Sequence, residues 1–308
     1  MTEMVSNELV VLGLSHHTAP LEMRETFSLT SDGIERVYQD LATESAVMEA
    51  AVLATCNRLE VYATGPADEL AVCLSEILSR QTGQGQASLR EVCYFRRQQA
   101  AAQHLFQVAA GLDSQMVGET EIFGQVKKAY QDAVERDLAG ATMHRLFQKS
   151  FRQGKWARTH TQIGTGNVSV ATVAAELGTR IFGRIRDCSL LVVGTGEVAE
   201  STLKVFLSKG CKRIGFCGRN QERRLALAES IDVQGYPLEE LEARLGDFDI
   251  VVTSTASSEY LVTPQNLPGK RTRPLFFIDV AVPRDVDPSC GDSDQIFVYN
   301  MDDLAKVA

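Results

Sequence analysis

The stretch SLLVVGTGEVAES, residues 189–201, decides how the second half of the chain is read. Ser189 to Val193 is a continuous apolar run, as in a parallel strand covered on both faces. Gly194 and Gly196 permit a tight turn and close backbone approach to a pyrophosphate. Glu197 to Lys209 then reads as a helix whose start offers unpaired N–H groups and a positive dipole end to phosphates. Ala199 stands where a third glycine often sits. Gly-x-Gly-x-x-Ala alone is a weak signal. The strand before it, the helix after it and a second strand, Ile214 to Cys217, strengthen it. Ile250 to Ser254, Leu275 to Asp279 and Phe297 to Tyr299 supply more strands between helical spacers. The pattern predicts a doubly wound parallel sheet with helices on both faces over residues 161–308.

The end of the second strand distinguishes the nicotinamide cofactors. An NAD site usually places Asp or Glu there, to accept from the ribose hydroxyls. This chain has Cys217-Gly218-Arg219-Asn220, without a carboxylate, and Arg219 can pair with a 2′-phosphate in a bidentate fork. Arg223 and Arg224 add positive potential. These residues predict NADPH over NADH; the alternative is that Arg219 is a solvated loop residue.

Working back toward the start, residues 1–160 read as a mixed α+β domain. Leu9 to Leu14, Ala50 to Ala54, Leu59 to Ala63 and Val92 to Phe95 are strand candidates, and Ala67 to Arg80 has helical spacing. Helices then dominate, with stripes at Leu105, Val108, Ala109 and Leu112, at Ile122, Val126 and Ala129, and from Leu146 through Trp156. This helical stretch is expected to link the halves. The 308 residues, 44% hydrophobic, suit two domains with cores of their own. The start lacks the basic region and long apolar stretch of a signal peptide, and no stretch is long enough to cross a bilayer. The seven Cys form no metal-ligand cluster with the five His and read as reduced thiols, so no metal and a cytoplasmic location are expected. A net charge of −9 argues against a nucleic-acid partner, but residues 141–160 hold Arg145, Lys149, Arg152, Lys155 and Arg158 and no acid.

Chemistry concentrates in the first half. Cys56 sits in LATCNRLEVYA between two strands. A lone cysteine is usually a small buried residue, but Thr55, Asn57 and Arg58 gather polar groups around this one. Arg58 can hold a carboxylate, and a nearby cation favours the thiolate. The other six cysteines read as structural. His104 lies beside an apolar helix stripe; it is either a packed histidine or a donor to a reacting carbonyl. His16 and His17 read as turn residues. Ser114, Glu119, Glu121 and Gln125 form a polar set that spacing alone equally reads as a solvated helix face.

These segments resemble the glutamyl-tRNA reductase family. The match runs through GLSHHTAPLEMRE (13–25), LATCNRLEVYA (53–63), HLFQVAAGLDSQMVGETEIFGQVKKAY (104–130), VVGTGEVAE (192–200), DIVVTSTAS (249–257) and FIDVAVPRDVDP (277–288), in family order. The Thr-Cys-Asn-Arg-x-Glu and Gly-Leu-Asp-Ser motifs are specific to it. The resemblance implies an α/β chain in which an N-terminal α+β catalytic domain precedes a Rossmann-type domain. It implies that Cys56 attacks the aminoacyl ester of glutamyl-tRNA(Glu) and forms a thioester. Hydride from NADPH then releases glutamate-1-semialdehyde, the precursor of 5-aminolevulinate and tetrapyrroles. His104 matches a histidine needed for activity. Thr55, Cys56, Asn57, Arg58, Ser114, Glu119, Thr120, Glu121 and Gln125 match positions that hold the glutamyl group. Gly194, Thr195, Gly196, Glu197, Val198 and Ala199 match the NADPH turn.

Two departures from the family stand out. Glu121 occupies a position where the family usually has Gln, which bears on substrate affinity. The residues stop at MDDLAKVA, whereas the family continues into a connecting helix and a dimerisation domain. The homodimer therefore stays open, and the basic stretch at 141–160 is expected to carry more of the RNA contact. A downstream glutamate-1-semialdehyde aminomutase is a candidate partner. The rival readings are an NADPH-dependent dehydrogenase of a small free metabolite and a non-catalytic regulator.

Overall fold

The computed structural model of the protein describes residues 7–164, 169–269 and 271–307. It divides into two compact units, Met1–Val168 and Ser169–Ala308. In the first unit, β1 (Asn7–Ser15), β2 (Glu49–Ala54), β3 (Arg58–Pro66) and β4 (Tyr94–Arg97) form an antiparallel sheet in the order β2-β3-β1-β4. Around it lie α1 (Leu21–Thr26), α2 (Ser31–Thr43), α3 (Ala67–Thr82), α4 (Gln86–Val92), α5 (Gln98–Ala110), α6 (Glu121–Glu135) and α7 (Ala141–His160).

β1 and β3 show no alternation of buried and exposed residues, because both faces are covered. Val10, Val11, Leu59, Val61 and Tyr62 share one core with Val37 and Leu41 of α2, Leu70 and Leu74 of α3, Leu105 of α5, Val126 of α6 and Phe147 of α7. The helices from 98 to 160, expected as a link between halves, therefore help to build the first unit's core. Two boundaries also move. Val92 ends α4, and the strand begins two residues later at Tyr94. Leu112 lies beyond α5 and is exposed.

In the second unit, β5 (Ser189–Val193), β6 (Arg213–Gly218), β7 (Gln234–Pro237), β8 (Ile250–Thr253), β9 (Leu275–Asp279) and β10 (Ile296–Asn300) form a parallel sheet in the order β10-β9-β8-β5-β6-β7. Its helices are α8 (Val170–Phe182), α9 (Glu197–Ser208), α10 (Gln221–Ile231), α11 (Leu241–Arg244) and α12 (Met301–Val307). Leu191, Val193, Val251 and Phe277 point to one face, where Leu241, Leu245, Val262 and Val286 cover them. On the other face α8 packs with α9, and Gly178 of α8 lies against Ile250. This is the doubly wound Rossmann-type arrangement. The strand order reverses between β5 and β8, the topological switch point where such sheets open a crevice.

Candidate active site

The Thr-Cys-Asn-Arg segment is the tight turn between β2 and β3. Thr55 N–H donates to the Arg58 carbonyl at 2.8 Å, and the Thr55 hydroxyl oxygen accepts from Asn57 N–H and Arg58 N–H, each at 3.1 Å. The Thr55 hydroxyl thus closes the turn that carries Cys56. From α1, the buried Arg24 donates to the Cys56 carbonyl at 3.2 Å and to Asn57 Oδ1 at 2.7 Å. His16 N–H, in the turn after β1, donates to the Asn57 carbonyl at 3.0 Å. His16 and His17 are turn residues, as expected, and they also border this site. Burial and the neighbouring His17, Arg58 and Arg24 push the His16 imidazole down to about 4, so it is neutral at physiological pH.

Arg58 faces inward. Its Nη1 donates to Glu60 Oε1 at 2.7 Å, and its Nη2 donates to the Asp113 carbonyl at 2.6 Å and lies 3.0 Å from Asp113 Oδ2. The carboxylates that Arg58 meets thus belong to the chain itself. Glu60 is wholly buried and also accepts from the Tyr62 hydroxyl at 2.7 Å and from the Tyr94 hydroxyl. Burial opposes its charge, but Arg58, His104 and Tyr94 outweigh that and hold the carboxyl well below the usual carboxylate range. His104 Nε2 lies 2.8 Å from Glu60 Oε1 and 3.2 Å from the Tyr94 hydroxyl. His104 Nδ1 is buried without a hydrogen-bond partner. Since Nε2–H donates to the carboxylate, the neutral ring offers Nδ1 as an acceptor, and the doubly protonated ring offers it as a donor.

Asp113 belongs to the loop between α5 and α6, which carries Ser114, Glu119 and Thr120. Gly118 in it has φ +91°, and a Cβ there would meet the Ile163 carbonyl oxygen at 2.1 Å, so only glycine fits. Arg158 of α7 donates to the Gly118 carbonyl at 3.3 Å and the Glu119 carbonyl at 2.5 Å. One member of the basic stretch expected to face RNA is therefore half-buried and braces this loop. Thr120 caps α6 through its backbone position without a side-chain hydrogen bond, and Glu121 opens that helix with Gln125 one turn on. Ser114 is buried; Glu119, Glu121 and Gln125 are half-buried.

Cys56 is partly exposed. Burial, then the charge of Glu119, pushes its thiol up to about 12; Glu121 adds to this and Arg24 opposes it. The cation that favours the thiolate is thus Arg24, while Arg58 is turned toward Glu60 and Asp113. Burial prevails, with the carboxylates adding to it, and the free protein holds a protonated thiol. Arg24, Glu60, Tyr94 and Asp113 carry this geometry, and sequence reasoning gave none of them a role, although Glu60 closes the Thr-Cys-Asn-Arg-x-Glu motif and Asp113 lies in Gly-Leu-Asp-Ser. A physical signal for Glu60 was its place two residues after Arg58 on a strand, hence on the same face.

In the second unit, a cleft of about 300 Å³ opens at the switch point, lined by Gly194, Thr195 and Gly196, by Gly218, Arg219, Asn220 and Arg223, and by Ser254 and Thr255. Gly194 has φ +134°, and a Cβ would meet Ser254 Oγ at 2.8 Å. Gly196 is the N-cap of α9 and provides no side-chain cap, so the first amides of α9, at Glu197, Val198 and Ala199, are left for a ligand. No atom lies within 4 Å of a Cβ built on Gly196. The cleft therefore fits a dinucleotide pyrophosphate. Its lining includes Arg219 and Arg223 and no carboxylate. Arg224, expected to add to the same potential, donates instead to the Gly218 carbonyl at 3.0 Å.

Among the described residues no cluster could hold a metal, and no helix is long and apolar enough to cross a membrane.

The geometry can be set beside known proteins. Residues 12–161 match the family described as glutamyl-tRNA(Glu) reductase, N-terminal domain, and residues 176–307 match the shikimate/quinate 5-dehydrogenase family. A glutamyl-tRNA reductase from Magnetococcus marinus is 40% identical over 97% of this chain and 72% of that protein. One from Akkermansia muciniphila is 38% identical over 97% of this chain and 89% of that protein. The solved glutamyl-tRNA reductase of Methanopyrus kandleri superposes with a TM-score of 0.51 at 31% identity, over 97% of this chain and 73% of that one. With a turn built around Cys56 in one unit, a dinucleotide cleft in the other, and relatives alike across almost its full length, this chain belongs to the glutamyl-tRNA reductase family.

Proposed function

We propose that this chain reduces the glutamyl group of glutamyl-tRNA(Glu) to glutamate-1-semialdehyde through a thioester on Cys56, with NADPH as reductant, as the first step of tetrapyrrole synthesis. The observation that carries the reading is Cys56 at the tip of a turn closed by Thr55 and anchored by Arg24, beside Glu119 and Glu121. An ester resists direct hydride transfer; a thioester is more electrophilic, and its thiolate leaves readily.

In this reading Cys56 Sγ bonds to the acyl carbon, the ester C–O bond breaks, and the thiol proton ends on the departing ribose hydroxyl. His104, held through Nε2 by Glu60, donates from Nδ1 to the acyl oxygen in its doubly protonated form. Glu119 and Glu121 suit the substrate's α-ammonium, whose arrival would offset the part of the thiol's upward shift that these carboxylates add to burial. The first amides of α9 would hold the cofactor's pyrophosphate, and Arg219 and Arg223 its 2′-phosphate, which is why NADPH is favoured. When bound, the reduced nicotinamide supplies the hydride that frees the aldehyde and returns the thiolate. Seven free cysteines suit a reducing cytoplasm, and a downstream aminomutase is the natural acceptor of so labile a product.

The test is one assay: charged glutamyl transfer RNA with NADPH, and Cys56→Ser as control. Aldehyde formation by the native chain, with a Cys56 acyl adduct seen by mass spectrometry when NADPH is omitted, is expected. A serine variant of equal activity would overturn the thioester. Indifference to transfer RNA, with turnover of a free metabolite, would favour the rival dehydrogenase.

A further inference from the structure

We propose that the outward face of α7 carries the unpaired 3′ end of the transfer RNA, with a base stacked on Trp156 and phosphates on Arg145, Lys149 and Arg152. The proposal rests on the functional reading above and adds where the RNA lies. These four residues are spaced four, three and four apart, so on a helix they share an arc of about 60° and rise about 16 Å. All four are exposed, and Trp156 is 54% exposed. One face of its indole is stacked on His160, with ring centroids 4.8 Å apart and planes 11° apart.

The charge argues for nucleic acid. The chain as a whole is at −9, yet residues 141–160 hold no acid, so this stripe is a local basic track. Trp156 is the one large apolar side chain of α7 exposed on it, and a single aromatic among cations is no apolar patch for a protein partner. Cations that follow a backbone beside an aromatic platform are how single strands are held. The position fits too. Two residues beyond Trp156, Arg158 binds the carbonyls of Gly118 and Glu119, and Glu119 is one of the charges felt by Cys56. Arg158 and Trp156 thus lie at the same level of α7 on opposite faces, and an acceptor end stacked on Trp156 reaches the loop beside the nucleophile by rounding the end of the helix, which closes at His160.

The chain has one Trp, so its fluorescence excited beyond the tyrosine absorption band reports on Trp156 alone. The probes are uncharged glutamate transfer RNA and the same RNA with its unpaired 3′ nucleotides removed, with affinity read in parallel from the anisotropy of labelled RNA. Intact RNA should quench the fluorescence; truncated RNA should bind without quenching. Trp156→Ala should weaken intact RNA by at least about fivefold, Trp156→Phe should restore most of it, and neither should alter binding of the truncated RNA. Replacing Lys149 and Arg152 together by Ala should flatten the salt slope by about two.

Unchanged fluorescence with intact RNA, or equal affinity for Trp156→Ala, overturns the proposal. So does fluorescence that follows protein concentration rather than RNA, which would make this face a contact between copies. A native chain that reduces glutamyl-tRNA while Trp156 stays silent refutes this surface and leaves the function standing. Quenching by RNA without any reduction refutes the function and leaves the surface standing.

Discussion

Replacing Glu60 by Gln isolates the charge of one buried carboxylate with little change of shape. Oε1 accepts from Arg58, His104 and Tyr94, and Oε2 accepts from the Tyr62 hydroxyl. A glutamine can keep its carbonyl oxygen at the first position and turn its amide toward Tyr62, whose hydroxyl then accepts. The hydrogen-bond count survives, and the charge does not. Arg58, 2% exposed, is left with Asp113 as its remaining anionic partner, 3.0 Å from Nη2. Removing one partner of a buried ion pair costs about 3–5 kcal/mol. The retained contact with Asp113 puts this case near the lower end, at about 3 kcal/mol. In thermal unfolding that lowers the transition of the first unit by roughly 6–12 °C. Arg58→Met added to Glu60→Gln should recover at least ~1 kcal/mol, because the stranded guanidinium is gone.

The pH dependence has a definite sign. The folded carboxyl lies below its unfolded value, so its contribution is fully present above the ordinary glutamate range and is lost as pH falls toward the folded value. The gap between native protein and Glu60→Gln should be constant from pH 6 to 8 and shrink below ~4.3. A loss under ~1 kcal/mol, or a gap that widens in acid, would refute the ion-pair account.

Other expectations follow from the same geometry. The thiol of Cys56, pushed up to about 12, should react with iodoacetamide at a rate that climbs through pH 7–10 without a plateau, and Glu121→Gln should speed the reaction by removing a like charge; a plateau near pH 8 would deny that burial and the carboxylates control the thiol. Arg219→Ala should raise the apparent KM for NADPH more than that for NADH, by roughly tenfold or more for a lost phosphate fork; equal use of both cofactors by the native chain would defeat the assignment. Gly194→Ala combines φ +134° with a Cβ 2.8 Å from Ser254 Oγ, so it should cost about 1–3 kcal/mol of stability in the second unit and weaken NADPH in a fluorescence titration; unaltered binding would show that this turn does not approach the pyrophosphate.

What could be read before folding was whatever depends on neighbours along the chain. The strand Ser189–Val193, the glycines after it and the helix from Glu197 are local signals, and all three stand where they were expected. β7, with the sequence QGYP, gave no apolar run and was missed. α2 was missed although its buried Val37, Tyr38 and Leu41 lie at helical spacing. The Thr-Cys-Asn-Arg turn drew notice by composition, but its inner logic did not. Whether Arg58 meets a ligand or Glu60, whether Glu60 is charged in a core, and whether His104 has a partner are set where β3, β4, α5 and the loop at Asp113 converge. The cation that reaches the nucleophile's turn is Arg24 from α1, while Arg58, next but one to Cys56 in sequence, holds carboxylates of the chain itself. Period and turn chemistry are properties of consecutive residues, and the sequence by itself determined the two-unit α/β plan. A charge's solvation and partners are properties of the packed interior, and only the tertiary structure decided which ionic groups are committed to one another.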